Sequence, residues 1–354
     1  MQRGNPMKDD HLALLQSSVQ HNCHISDSRH GTEYGLCTYL MRMREYFRWE
    51  KGFGFSASLD KEEISQWLEE REALWEGLEE EDFRSLSFAG DDFDPFDNDG
   101  INARLSEQGL VYSGGYGRSG RPHFFLGELE HHEQLDGFSV LISGRELARD
   151  LASPPAMSIG RTMFIRRESL RRMLWEKLES WRWSRPDNAL GRAFSCYDFE
   201  QDTDGALDAM TDHEIELAIL HEKGECEAGK LLGDGWQEML SDFDYTPAEL
   251  IARAVRDHLA DCISTLPALA AIDRPSSVHF FMGNLGGMRK EIFPGIQIAY
   301  QAWDKSGDFS ALRQLAEAGR EHWAELAGRF LELHRKQGRD AADAVARLAT
   351  GHQL

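Results

Sequence analysis

Cysteine is scarce in this sequence, and the few cysteines form no recognisable pattern. Among 354 residues there are five, namely Cys23, Cys37, Cys196, Cys226 and Cys262, and no two of them make a CxxC pair. An odd and scattered set argues against a disulfide framework and against a closed structural zinc site. We therefore expect reduced thiols.

Long hydrophobic runs are also missing. No stretch approaches the roughly 18 to 20 consecutive apolar residues that cross a bilayer. The first ten residues, MQRGNPMKDD, contain no apolar core of the kind found in signal peptides. The sequence therefore predicts no membrane span and a cytoplasmic location.

Positively charged residues are fewer than negatively charged ones. The chain has 39 lysines and arginines and 61 aspartates and glutamates, which gives a formal net charge of −22. A surface of this sign repels polyanions, so we expect no general nucleic-acid binding. The best local basic patch comprises Arg161, Arg166, Arg167, Arg171 and Arg172. Its ordinary interpretation is pairing with acidic stretches such as residues 69–82.

Apolar and aromatic residues are present in the amounts that a folded protein needs, at 41% and 10% of the chain. Periodicity predicts an α+β fold that is mainly α, with a helical core and a small antiparallel β-hairpin or sheet region. We expect an N-terminal α+β domain over residues 1–185, a linker over 186–210 and a C-terminal helical domain over 211–354. Within the first domain the pattern predicts a helix at 31–51, a β region at 109–143 and a helix at 168–183.

Three shorter segments complete the local predictions. Residues 20–30 are polar and rich in capping residues, which favours a loop. The segment SGRELARDL at 143–151 resembles the capped start of a helix, and residues 277–282 resemble a short strand.

A glycine-rich turn divides the β-like runs of residues 109–129. Arg118 and Arg121 belong to this turn, LVYSGGYGRSGRPHFF, and could hold a phosphate or carboxylate group. The spacing matches neither a Walker loop nor a dinucleotide fingerprint. The alternative interpretation is a purely structural hairpin.

The segment DHEIELAILHEKGECEAGKLL, residues 212–232, carries ionisable groups on an apolar helical face. With a step of about 100° per residue, Glu214, His221 and Glu225 fall within about 40° of one another. Because an unpaired buried charge is costly, these groups need partners. A divalent metal, iron or zinc, is one such partner. The alternative is that the three groups satisfy one another and an arginine on a neighbouring helix.

His221-Glu222-x-x-Glu225 is similar to the zincin HExxH pattern, with a glutamate in place of the second histidine. Glu222 is accordingly a candidate general base. A second set of potential ligands lies at residues 21–37, where Asp27 and His30 are candidate catalytic residues. We expect residues 27–37 to lie within side-chain reach of His221 or Glu225, whereas loop polarity and helix capping are the alternative explanation.

Seven segments also carry a resemblance to other proteins. They are CHISDSRH, LCTYLMRMREYFRWE, GGYGRSGRPHFFL, SGRELARDL, MFIRRESLRRMLWEK, HEKGE and GMRKEIFP. Together they resemble an uncharacterised family of bacterial proteins of this length. The resemblance implies a bacterial, cytoplasmic protein and supplies no catalytic residues.

The leading functional hypothesis is a metal-dependent enzyme, with iron or zinc, that acts on a small molecule. Its metal ligands would be Glu214, His221 and Glu225. One alternative is a non-enzymatic interaction or assembly protein. The other is a protein that binds an anionic ligand through the arginines of the hairpin.

Overall fold

A computed structural model describes residues 9–88, 90–117 and 120–354. The chain divides into two compact units. Unit 1 comprises the chain up to Lys177 together with Glu200–Thr211, and unit 2 comprises Leu178–Phe199 and Asp212–Leu354. None of the helices within the described ranges is both long enough and apolar enough to span a membrane.

Unit 1 combines helices with two sheets. Its helices are α1 (Asp9–His30), α2 (Leu36–Glu50), α3 (Lys61–Glu76), α4 (Asn98–Leu105) and the first part of α5 (Arg167–Ser184). Its strands are β1 (Leu86–Phe88), β2 (Asp91–Phe93), β3 (Leu110–Tyr116), β4 (Pro122–Leu135), β5 (Phe138–Arg149), β6 (Ala156–Ile159) and β7 (Thr162–Arg166).

The larger sheet has the strand order β3-β4-β5-β7-β6. Strands β5 and β7 run parallel, and the other neighbours are antiparallel. The predicted α+β, mainly α class is therefore confirmed, but the sheet is mixed and larger than the small antiparallel region expected. The predicted hairpin is present as β3 and β4, with Tyr116 opposite Pro122 at its closed end.

Unit 2 is helical. It contains α6 (Ala189–Phe194), most of α7 (Thr203–Leu232), α8 (Asp234–Asp242), α9 (Pro247–Ala260), α10 (Leu266–Ile272), α11 (Pro275–Asn284), α12 (Gly287–Ile292), α13 (Pro294–Ser306), α14 (Ser310–Gln337) and α15 (Ala342–Thr350). A π-helical turn, Asp261–Thr265, joins α9 to α10. The core of the unit includes Trp323 and Phe293, whose ring centroids lie 5.2 Å apart.

The predicted loop at residues 20–30 is wrong, because α1 continues to His30. Two of the side chains there are buried and directed to the sheet. Ser26 Oγ donates a 2.6 Å hydrogen bond to the carbonyl of Pro122, and Cys23 Sγ lies 3.3 Å from the carbonyl of Phe124. A polar composition here reflects buried hydrogen bonds, which a local pattern cannot distinguish from a solvated loop.

Two further local predictions are also wrong. Residues 143–149 continue β5, where Glu146 and Arg149 are buried together with Leu147 and Ala148. Buried ion pairs replace the alternation of polar and apolar residues that identifies a strand. Residues 277–282 form part of α11, since a short apolar run does not separate strand from helix.

Candidate functional site

A network of buried charges occupies the end of β5 in unit 1. Glu146 Oε1 accepts hydrogen bonds from Arg166 Nε at 2.9 Å and from Ser169 Oγ at 2.6 Å. Burial opposes the charge, but Arg166 and Arg149 hold the pKa of Glu146 below its ordinary value. The carboxylate is thus a paired anion in the interior of the unit.

A cavity of about 90 Å³ lies beside this network, and we call it the arginine cavity. It is lined by Glu45, Arg48, Trp49, Phe53, Gly54, Phe55, Arg149, Glu168, Arg171 and Arg172. Four guanidinium groups therefore face two carboxyl groups. Three further carboxylates, outside the lining, pair with two of these arginines: Asp204 and Asp208 with Arg171, and Glu176 with Arg172.

Arg48 is held firmly in the wall. Its Nε donates to Glu45 Oε2 at 3.1 Å, and its Nη1 donates to the carbonyls of Gly54 at 2.6 Å and Ala57 at 3.1 Å. The loop after α2 thereby closes over the cavity and brings Phe53 and Phe55 to it.

Arg149 is the most deeply buried cation of the cavity, with an exposure of 2%, and Arg48 and Arg172 follow at 5% each. Arg149 Nη2 donates to the carbonyl of Glu45 at 3.2 Å, and its guanidinium lies 4.8 Å from the centroid of Trp49. Arg172 Nη2 donates to the carbonyl of Ser153 at 2.9 Å. The Nε atoms of both arginines are buried without a hydrogen-bond partner in the part of the chain that the structure describes.

The buried position and the neighbouring cation destabilise the charged form of Arg149. Burial, followed by repulsion from Arg172, lowers the pKa of Arg149 to about 10. Arg171 is better compensated, because its guanidinium lies 2.9 Å from Asp204 Oδ1 and 2.6 Å from Asp208 Oδ1. Arg172 is also compensated, because its Nη1 lies 2.8 Å from Glu176 Oε1. The unmatched positive charge of the cavity therefore resides on Arg149, which forms no ion pair among the described residues.

One candidate catalytic residue, Asp27, and one candidate anion-binding residue, Arg121, meet elsewhere in unit 1. Asp27 is buried and accepts hydrogen bonds from the backbone N–H of Leu151, at 3.0 Å and 2.9 Å to its two oxygens. Arg121 Nη2 lies 3.6 Å from Asp27, and Arg121 Nη1 donates to Tyr34 Oη at 2.6 Å. The hairpin arginine is thus engaged internally.

His30, another candidate catalytic residue, contacts a different side chain. His30 Nδ1 lies 2.7 Å from Glu33 Oε1 near the end of α1. Arg118 lies outside the described residues. Burial and the neighbouring Asp150 raise the pKa of Asp27 well above its ordinary value. The structure supplies no test of a catalytic role for these residues, which stays a prediction.

In unit 2, His221 is part of a series of alternating charges that we call the ionic chain: Arg289, Asp261, His221, Glu225 and Arg256. His221 Nδ1 lies 3.0 Å from Asp261 Oδ1, and His221 Nε2 lies 3.3 Å from Glu225 Oε1. Arg289 pairs with Asp261, and Arg256 Nη2 lies 3.1 Å from Glu225 Oε2. Each carboxylate thus has two cationic neighbours.

The ionic chain suits a protonated imidazole. Burial opposes the charge, but hydrogen bonds to Asp261 and Glu225 hold the pKa of His221 well above its ordinary value. The side chain of His221 is 32% exposed, so it lies at the edge of the apolar face and not in its centre. The two carboxylates lie on opposite ring nitrogens, a geometry that satisfies two N–H donors.

Glu214 is separate from this chain. Its Oε1 accepts a 2.9 Å hydrogen bond from Ser277 Oγ on α11, and burial raises its pKa to about 7. Glu222 is buried on the same helix. Within the described ranges no three His, Cys, Asp or Glu side chains are arranged to hold a metal ion. The assignment of Glu214, His221 and Glu225 to iron or zinc stays a prediction.

A second polar cavity, of about 490 Å³, lies in unit 2 and is lined in part by Arg192, Tyr300 and Asp304. Tyr300 Oη lies 2.8 Å from His279 Nδ1 and accepts a 3.3 Å hydrogen bond from Arg192 Nη1. Arg192 also lies 3.4 Å from Asp304 and 3.2 Å from Asp187. Its charge is already matched, which distinguishes it from Arg149.

Sequence reasoning missed most of the arginine cavity. The sequence indicated Arg171 and Arg172 as members of the basic patch at 161–172. Arg149 belongs to the segment 143–151, which was interpreted as the start of a helix. Glu168 carried no local signal. Buried arginines that are far apart in sequence resemble exposed ones until the fold brings them together.

Comparison with known proteins yields two matches of family models. Residues 14–166 match the N-terminal domain, and residues 171–352 match the C-terminal domain, of a family of unknown function (DUF6866). No curated protein and no solved structure matches the chain.

Proposed function

Because this chain belongs to the family of unknown function DUF6866, we propose a function from its own geometry: unit 1 binds a small oxyanion in the arginine cavity. Membership of an uncharacterised family is what the sequence predicted. The ligand class comprises phosphate, sulfate and the carboxylate group of a small metabolite.

One observation carries the proposal. Arg149 and Arg172 both line the cavity, and each has a buried Nε–H without a hydrogen-bond partner among residues 9–88, 90–117 and 120–354. A buried cationic donor that lacks an acceptor is costly, and the cost exceeds that of a neutral donor. An oxyanion supplies both the missing acceptors and the missing negative charge.

The charge balance points in the same direction. Burial and Arg172 lower the pKa of Arg149 to about 10, so the protonated form of this side chain is less stable here than in water. A bound anion would reverse that effect. Arginine is also the residue best suited to the task, since its planar fork donates two parallel hydrogen bonds to an oxyanion.

The volume restricts the size of the ligand. A cavity needs a volume of about 10 to 15 Å³, measured as the space open to a water-sized sphere, to hold one water molecule. The 90 Å³ of the arginine cavity therefore accommodates several waters or one small oxyanion. A nucleotide would not fit inside it.

Aromatic rings prepare the site for binding. Arg149 lies 4.8 Å from the centroid of Trp49, and Arg171 lies 4.9 Å from the centroid of Phe55. Cation–π contacts of this kind fix the guanidinium planes before a ligand arrives. Less side-chain freedom is then lost on binding, which favours affinity.

The proposal keeps the anionic-ligand hypothesis but moves the site away from the hairpin. Arg121 is ion-paired with Asp27 and donates to Tyr34, whereas Arg149 of the arginine cavity forms no ion pair among the described residues. The metal-dependent enzyme remains a separate hypothesis. Stoichiometric iron or zinc in the purified protein, and its loss in His221→Ala, would support it.

Titration calorimetry with inorganic phosphate tests the oxyanion proposal. We expect the wild-type protein to bind one phosphate, and Arg149→Met to weaken binding about tenfold or more, because one charge-assisted contact is lost. Arg145→Met is the matched control, since Arg145 lies on the same strand with its side chain 68% exposed.

The control should bind phosphate like the wild type. Absence of binding to the wild-type protein would refute the proposal, as would equal affinity in the wild type and Arg149→Met. Circular dichroism of each variant verifies that the fold is retained.

A further inference from the structure

The two carboxyl groups of the arginine cavity, those of Glu45 and Glu168, have different partners. Glu45 lies 2.7 Å from Arg44 Nε and 3.1 Å from Arg48 Nε. Glu168, in the first turn of α5, instead accepts a 2.6 Å hydrogen bond from the backbone N–H of Glu146. A ligand in this cavity therefore meets the carboxyl group of Glu168 as well as the arginines.

A ligand oxygen that contacts the ionised carboxylate of Glu168 needs a proton between the two oxygens. An ionised carboxylate only accepts hydrogen bonds, and the oxygens of a fully deprotonated oxyanion also only accept. Two acceptors that face each other repel unless one proton lies between them. Hydrogen phosphate carries such a proton at neutral pH, and sulfate does not.

We propose that Glu168 makes the arginine cavity selective for an oxyanion that carries its own proton, as hydrogen phosphate does, over one that does not, such as sulfate. This inference rests on the proposed oxyanion function and names the ligand chemistry of the same site. Glu168 accepts the hydrogen bond from the P–O–H group, while Arg149 and Arg172 compensate the charge. No bond is made or broken, and the complex holds one shared proton.

The charged groups around Glu168 determine how the selectivity depends on pH. They are Glu45 and Arg48 on α2, Glu146 and Arg149 on β5, Arg166 on β7, and Arg171 and Arg172 on α5. Burial and the charge of Glu146 raise the pKa of Glu168, while Arg149 and Arg166 act in the opposite direction. Glu168 therefore takes up a proton more readily than an exposed glutamate does as the pH falls.

A protonated Glu168 donates a hydrogen bond, and sulfate then becomes an acceptable ligand. Selectivity for phosphate should accordingly be high at alkaline pH and decline as the solution is acidified. Sulfate is the useful probe, because its own charge does not change across this range.

The experiment is calorimetric titration of the full chain with sodium phosphate and with sodium sulfate, at equal ionic strength, between about pH 5.5 and pH 8. At about pH 7.5 we expect phosphate to bind about tenfold more tightly than sulfate, or better, the factor that a charge-assisted hydrogen bond supplies. The ratio should fall steadily toward pH 5.5.

Glu168→Gln sharpens the test, because the amide can donate to either anion. In this variant the two affinities should agree within about threefold at about pH 7.5. Glu128→Gln is the control, since Glu128 is an exposed glutamate on β4 of the same unit. It should retain the wild-type selectivity.

The outcomes separate the two proposals. If the wild type binds phosphate and sulfate equally at about pH 7.5, the oxyanion function stands and the role of Glu168 is refuted. Selectivity that persists in Glu168→Gln refutes it as well. If the wild type binds neither anion, the oxyanion function itself fails. The wild-type pH series needs no variant, so poor folding of Glu168→Gln would leave the test in place.

Discussion

The arginine cavity of unit 1 and the ionic chain of unit 2 use the same residue types in different balance. In the ionic chain, Asp261 and Glu225 alternate with His221 and two arginines, so each charge has a neighbour of opposite sign. In the arginine cavity, Arg171 and Arg172 have carboxylate partners, whereas Arg149 forms no ion pair among the described residues. Both networks keep buried arginine Nε–H groups without a hydrogen-bond partner among the described residues, so the difference between them is the unpaired charge of Arg149.

The largest effect on stability is expected from breaking an ion pair that is already matched, that of Arg166 and Glu146. Arg166→Met leaves the buried carboxylate of Glu146 without its closest cation, which lies at 2.8 to 2.9 Å. We expect the free energy of unfolding to fall by about 3 to 5 kcal/mol, the usual cost of an orphaned buried charge. Urea denaturation followed by circular dichroism measures it.

Arg145→Met, on the exposed part of β5, should change stability by no more than about 0.5 kcal/mol. A loss in Arg166→Met as small as that of this control would show that the Glu146 pair is not a tight structural unit.

A moderate effect is expected from the ligand itself. Phosphate at about 100 times its dissociation constant should stabilise the wild-type protein by about 2.7 kcal/mol, because binding to the folded state shifts the unfolding equilibrium. The same phosphate concentration should stabilise Arg149→Met much less. Thermal unfolding with sodium chloride at matched ionic strength as the control measures the difference, and equal stabilisation by chloride would contradict it.

The smallest effect concerns the ionic chain. Because Asp261 and Glu225 raise the pKa of His221, its contribution is fully present below the unfolded-state pKa of about 6.5 and is lost as the pH rises through the folded-state value. His221→Gln should cost about 1 to 2 kcal/mol near pH 6, a figure reduced by solvent screening of a ring that is 32% exposed.

That cost should shrink at alkaline pH. Urea denaturation of the wild type and the variant at several pH values measures it, with His131→Gln as the control because the side chain of His131 is 57% exposed. A cost for His221→Gln that does not change with pH would show that the imidazole is neutral in the folded protein.

Local periodicity predicted much of the fold. The helix predicted at 168–183 corresponds to α5, and the glycine-rich segment forms the β3–β4 hairpin. These elements carry apolar residues at regular spacing or glycines at a turn, so adjacent residues contain the signal. The segment 143–149 failed because its buried polar residues interrupt the spacing.

The candidate site was predicted only in fragments. The sequence indicated that His221 and Glu225 share a helical face, and their 3.3 Å contact agrees with the i, i+4 spacing. Nothing local indicated that Asp261 and Arg289 would complete the chain. Asp27 and Arg121 were named for separate roles and are in fact neighbours.

The sequence by itself determined the acidic charge, the mainly helical class and the hairpin, because composition and short-range spacing are sufficient for each. Only the tertiary structure decided which charges are matched. The carbonyl of Glu45 and the guanidinium of Arg149 that meet at the arginine cavity are 104 residues apart in the chain. A buried cation and a solvated one look the same in a sequence, and their difference in free energy arises from partners that the fold alone supplies.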